Sequence, residues 1–166
     1  MVVSTGFAYL DVDAEDAFGW CAEAMGRIAR KAEQEGVTLA VEPFTKYTTH
    51  ICNEASQLRR LLRTVNSPRL MGLADTDVIA TTAVDTFSTF LDVIGPENLG
   101  HVHFVDGNPG GHLVPGDGVL DLDGALEKLK AIHYTGALGL EVLDRRYVFA
   151  PEAAMRQAMD WYKERI

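Results

Sequence analysis

Four side chains able to bind a divalent cation, Glu42, Asp75, His103 and Glu141, stand 28 to 38 residues apart along the chain. Each lies near the C-terminal end of a short apolar run: VTLAVE, RLMGLAD, HVHFV and ALGLEV. Runs of this length, rich in aliphatic and β-branched residues, predict buried strands. In a parallel α/β sheet every strand ends on the same face, where ligands bind, so the four residues converge despite their separation in sequence. A buried carboxylate without a partner is penalised by several kcal/mol, so three that face one another must keep protons or share a cation. Three oxygen donors and one imidazole suit Mn²⁺, Mg²⁺ or Co²⁺, and no thiolate joins them to favour structural zinc. The competing reading is four solvated residues in separate ion pairs; their recurrence on successive strands weighs against it.

The elements between these positions support a parallel sheet. Before the first of them, Val2 to Thr5 is a short apolar run. From Asp13 to Glu35, Phe18, Cys21, Met25, Ile28 and Ala32 recur at helical spacing, with Asp13 placed to cap the start and Gly36 to stop the end. Further helices are expected at about Glu54–Val65, Ala83–Ile94, Leu122–His133 and Pro151–Arg165. Strands alternating with helices at a period of about 30 to 35 residues predict βαβ units. The expected fold class is α/β, a parallel (β/α) barrel-type sheet of about five units in one domain over residues 1–166. A closed barrel takes about 250 residues and eight strands, so this is a partial barrel. Its open edges predict completion by a second identical chain or by an N-terminal half.

Charge and composition narrow the function. Fifteen basic against 24 acidic residues give a formal charge of −9, which repels a phosphate backbone and excludes a nucleic-acid partner. No apolar run reaches the ~20 residues needed to span a bilayer, and the first residues lack a basic region ahead of an apolar stretch. No membrane partner is expected, and a cytoplasmic location is. Cys21 and Cys52 have no spacing that suggests a disulfide framework or a zinc knuckle and are read as buried, reduced thiols.

The stretches LAVEPFTKY, ICN, HVHFVDGNPGGHLVPGDG and GALGLEVL resemble the C-terminal half of the xylose-isomerase-like sugar isomerases and epimerases. Within that family the likeness is greatest to the fructoselysine 3-epimerase branch and then to the D-tagatose 3-epimerase branch. The H-x-H strand followed by V-P-G-x-G is the most specific of these motifs. The resemblance implies that Glu42, Asp75, His103 and Glu141 hold one Mn²⁺-type ion and that Glu42 and Glu141 also act as base and acid on a small sugar. Three positions depart from the family pattern: Thr48 where many members have Glu, Val78 where sugar epimerases often have His, and Leu113, beside His112, where an Arg often contacts the sugar.

Epimerisation needs a proton taken from carbon next to a carbonyl and returned on the other face, which a chelated cation assists by polarising the carbonyl. Substrate contacts are expected from the glycine-rich loop Asp106–Gly118, through Asp106 and His112, and from His101, which shares a strand face with His103. His50 and His133 are read as structural. Two other classes stay open at this point. One is a different metal enzyme on the same scaffold, such as a sugar-acid dehydratase or an endonuclease-IV-like hydrolase, the latter opposed by the acidic charge. The other is a truncated scaffold that binds metal without turnover.

Overall fold

In the computed structural model, which describes residues 1–165, alternating apolar segments form a five-stranded parallel sheet with strands in sequence order. Strand β1 is Val2–Ser4, helix α1 Ala14–Glu35, β2 Leu39–Glu42, α2 Ala55–Val65 and β3 Leu70–Asp75. Two helices follow, α3 at Thr76–Thr82 and α4 at Phe87–Ile94, before β4 at Leu99–His103. Helix α5 is Leu122–Ala131, β5 is Leu138–Gly139 and α6 is Pro151–Lys163. Strand order that never reverses is the order of a (β/α) barrel wall, as the alternation predicts. No helix among the described residues is long and apolar enough to cross a membrane.

The period-two alternation of each strand separates core from site. Leu39 and Val41, Leu70 and Ala74, and Leu99 and Val102 turn to the helices and pack with Leu58, Leu61, Phe90, Leu91, Ile94, Leu126 and Leu129 in one buried cluster. The alternate positions, among them Glu42, Asp75, His101 and His103, share the other face of the sheet. Helix α1 begins where Asp13 accepts the N–H groups of Glu15 and Asp16 and ends at Gly36, whose φ of 68° is open to glycine. Its buried stripe runs through Ala29 rather than the expected Ile28, which is exposed. Cys21 and Cys52 are both free and buried; burial pushes the Cys21 thiol up to about 11 and Cys52 higher still.

Two expectations need correction. The helix expected over Ala83–Ile94 is α4 and starts only at Phe87, and an unexpected helix, α3, precedes it, because Asp75 caps a helix directly at the end of its strand and Ala83 ends that helix in left-handed backbone, with φ of 56°. Thr86 then caps α4 through the Thr89 N–H. The strand expected over ALGLEV is only Leu138–Gly139, which pairs with β4 and has no sheet neighbour beyond it. Without a second ladder, Leu140, Glu141 and Val142 continue outside the strand, half-buried.

Register decides which residues meet. Between β3 and β4 the pairing shifts by one residue, from Gly72 opposite Leu99 to Leu73 opposite His101. Gly100 is the extra residue of this bulge, and the shift sets His103 opposite Asp75. An unbroken register would set Val102 there and turn the imidazole to the helix side. The next pair is His103 with Gly139, so Glu141, two residues on, returns to the face of His103. A Cβ at Gly139 would sit 2.9 Å from His101 Nε2 and 3.1 Å from His103 Cδ2, so a side chain there would press on both imidazoles. A Cβ at Gly100 would lie 2.7 Å from Met71 Cβ, a backbone-anchored atom. Gly100→Ala is therefore expected to lower the unfolding free energy by about 1–3 kcal/mol, the range for overpacking. An unchanged urea midpoint would show that the bulge has slack.

Candidate metal centre

Glu42, Asp75, His103 and Glu141 meet as the sequence pattern anticipated. Each offers one ligand atom, and the four atoms lie within 4.8 Å of one another. The arrangement centres on His103 Nδ1, which donates to Glu42 Oε1 at 3.0 Å and lies 3.3 Å from Glu141 Oε2 and 3.5 Å from Asp75 Oδ2. Glu42, Asp75 and His103 are buried and Glu141 is half-exposed, so the cluster is open on the side of the last strand.

Asp75 carries the test of whether a cation fits. Its Oδ1 accepts the N–H groups of Asp77 and Val78, both at 2.8 Å. Its Oδ2 is buried and makes no hydrogen bond among the described residues; its nearest polar neighbours are the His112 and His103 ring nitrogens, at 3.4 and 3.5 Å. A carboxylate oxygen left unpaired in the interior is penalised by about 1–3 kcal/mol or more. Here that oxygen turns to the other three donors, as a metal ligand must. Donors spread over less than 4.8 Å match the span of ligands held at about 2.0–2.5 Å around one ion. The residues present fit a divalent cation.

The electrostatics of the metal-free cluster follow from the same distances. Burial alone would lower the His103 pKa, but Asp75, Glu42 and Glu141 hold its proton and raise it to about 10. Burial likewise opposes a charge on His112, and Asp75 and Asp77 raise its pKa to about 10. For Asp75, burial pushes the carboxyl upward, yet His103, His112 and the Val78 N–H keep it down to about 2. Glu141 is raised, first by burial and then by the like charge of Glu42. The proton on His103 thus stands where a cation would.

The remaining expected site residues divide. His112 reaches the cluster, with Nε2 at 3.4 Å from Asp75 Oδ2 and 3.6 Å from Glu141 Oε2. His101 lies one step back along β4, its ring edge-on to His103 at 5.3 Å; burial and then the charge of His103 lower its pKa. Asp106, expected to face substrate hydroxyls, is turned instead into its own loop. It is buried and accepts four backbone N–H groups, from Gly107, Gly116, Gly118 and Leu120, at 2.8 to 3.0 Å. The loop is wound around it. Asp77 was missed by sequence reasoning. Its signal was the second acid of D-T-D at the end of β3, where a helix start buries it completely.

A parallel barrel wall whose strand ends gather three carboxylates and an imidazole defines a (β/α)-barrel protein with a metal-type site. The chain belongs to the xylose isomerase-like TIM barrel family, whose model matches residues 1–165. It is 29% identical over 148 residues to fructoselysine 3-epimerase of Escherichia coli O157:H7, covering 88% of this chain and 53% of that protein. It is 30% identical over 118 residues to ketose 3-epimerase of Arthrobacter globiformis, covering 71% of this chain and 39% of the other. Its fold superposes on the crystal structure of 3-keto-D-glucoside 4-epimerase from E. coli with a TM-score of 0.86 at 21% identity, over 98% of this chain and 63% of that one. The chain spans about half the length of the first of these relatives.

Two predictions arise from the cluster. Imidazoles raised to about 10 are charged in folded and unfolded chains alike below the ordinary value of 6.5, so their ion pairs are fully present there. As pH rises toward 10 the unfolded chain binds fewer protons than the folded one, and stability falls. Thermal unfolding of chelator-treated protein is expected to show that loss between pH 6.5 and 10, and a flat profile there would refute the assignment. Asp106→Asn places an amide where the loop N–H groups need an acceptor. A loss of about 3 kcal/mol or more is expected from denaturant unfolding, while a near-neutral effect would mean that the loop holds without it.

Proposed function

We propose that this chain is the C-terminal part of a divalent-metal-dependent epimerase or isomerase of a ketose or sugar derivative. The observation that carries the reading is the buried Asp75 Oδ2, without a hydrogen bond, turned into a four-donor group at the ends of successive parallel strands. Relatives described as fructoselysine and ketose 3-epimerases supply the reaction class. Glu42, Asp75, His103 and Glu141 would hold the ion, which when bound polarises a substrate carbonyl and steadies the charge of an enediolate. The oxygen-rich donor set favours Mn²⁺, with Mg²⁺ or Co²⁺ as substitutes.

The proton transfers belong to the two glutamates. Glu42 closes β2 and Glu141 follows β5, with β3 and β4 between them, and their carboxylates come within 3.0 and 3.3 Å of His103 Nδ1, so both would face a substrate held at the cluster. One carboxylate takes the proton from the carbon beside the carbonyl. The other returns a proton to the opposite face of the same carbon, which inverts it, or to the neighbouring carbon, which isomerises the sugar. The raised carboxyl of Glu141 suits a group that must carry a proton in part of the cycle. His101 and His112 would contact substrate hydroxyls. The remaining strands of the barrel would come from a second copy or an N-terminal half, since β1 and β5 each have one sheet neighbour.

The test is exchange of solvent deuterium into carbon-bound positions of a panel of ketoses and amino-sugar adducts, with Mn²⁺ supplied. Glu42→Gln and Glu141→Gln are each expected to lower that exchange by about 10²–10⁴-fold. Exchange that persists in both variants, or none in the metal-loaded protein with any sugar, would remove the reading.

A further inference from the structure

His112 sits in left-handed backbone with φ of 47°, directly after Gly110 at 96° and Gly111 at 109°. Glycine tolerates that region, but a residue with a Cβ adopts it only where its surroundings hold it. Asp77 holds it. Its fully buried carboxylate accepts the Gly110 N–H at 2.5 Å through Oδ1 and the His112 N–H at 3.0 Å through Oδ2. The same Oδ2 lies 2.9 Å from His112 Nδ1. The opposite wall is cut to admit it: a Cβ at Gly107 would come within 1.8 Å of Asp77 Oδ1.

One carboxylate therefore fixes both the backbone turn and the ring of the same histidine. With Nδ1 engaged, the ring can present only Nε2 to the site, where it lies 3.4 Å from Asp75 Oδ2 and 3.6 Å from Glu141 Oε2. Neither Asp77 nor His112 belongs to the four-donor group. A buried carboxylate that binds one imidazole nitrogen fixes the orientation of the ring and so the direction of the other nitrogen.

We infer that Asp77 is a positioning residue, which holds His112 with Nδ1–H donating to its carboxylate so that Nε2 is aimed at the open edge of the four-donor site, to meet an oxygen of the bound sugar. The purpose rests on the proposed epimerase reading, while the geometry stands without it. Asp77 acts at two removes from substrate, through a ring whose two nitrogens have separate tasks.

Long-range ¹H–¹⁵N spectra of the imidazoles test this on the metal-free chain at fixed pH, with the His112 signals assigned by their loss in His112→Gln. The expected wild-type result is a His112 Nδ1 proton that exchanges slowly with water. In Asp77→Asn that protection falls by about tenfold or more, the worth of one charge-assisted hydrogen bond. Mn²⁺ affinity stays within about threefold of wild type in Asp77→Asn, as for a residue outside the ligand set, and falls by about a hundredfold in Asp75→Asn. A wild-type His112 without a protected Nδ1 proton overturns the inference with no variant needed, even if Asp77→Asn fails to fold. So does a protected proton that survives Asp77→Asn, or a loss of Mn²⁺ affinity as large as that of Asp75→Asn. Ketoses that never exchange protons with solvent would end the epimerase reading and leave these signals untouched, so the two failures are separable.

Discussion

Three carboxylates around one imidazole nitrogen, at 3.0 to 3.5 Å, are the constraint that the rest of the structure answers to. Like charges about 4 Å apart repel by about 4 kcal/mol at the effective dielectric of a protein site, so such a group cannot stay buried without positive charge at its centre. In the metal-free chain the His103 proton supplies it. A divalent cation would replace that proton at the same place, which makes metal binding and imidazole deprotonation a single exchange. His112 contributes a second positive charge from the side, paired with Asp77, and Asp75 Oδ2 lies between the two rings.

Backbone devices, more than side-chain packing, bring these groups together. The bulge at Gly100 turns His103 to Asp75, and Gly139 gives both imidazoles of β4 room to lean toward the next strand. Asp75 is at once the last residue of β3 and the cap of α3. Its two oxygens are thereby separated, one spent on helix N–H groups and one left for the site. Asp106 gathers the following loop through four N–H groups, and that loop delivers His112. Each device uses a polar side chain or a missing one, which leaves the hydrophobic core free to specify the sheet.

The parallel sheet and the four donors were legible in the sequence because both are written in a repeating signal: an apolar run, one ionisable residue, then a helix. What lay outside that repeat was lost. Helix α3 starts without a loop at the end of β3, and with no helix expected before Ala83, Asp77 drew no reading. Asp106 and His112 stand in the same glycine-rich loop and have the same hydrogen-bonding capacity on paper. Only the folded loop shows that Asp106 is consumed by backbone donors while His112 is delivered to the site. The last strand was overread because ALGLEV has the composition of a buried strand, but ladder length is set by neighbours, and β5 has one.

The same reasoning separates what these residues can do by themselves from what needs more of the barrel. Glu42, Asp75, His103 and Glu141 are set by registers, caps and a bulge that run from β1, whose Ser4 pairs with Glu42, to the residues after β5, so assembly of the four-donor group depends on contacts already present. Glu141 is the exception in degree, since it follows a two-residue strand with a partner on one side only. It is half-exposed where the other three donors are buried. A further strand beside β5 would fix its backbone and deepen its burial, and burial is already the main force that raises its carboxyl. Completion of the barrel would therefore act first on the residue assigned to proton transfer and only afterwards on the cation's other ligands. On the proposed reading, metal affinity and turnover would be separable properties, joined at Glu141.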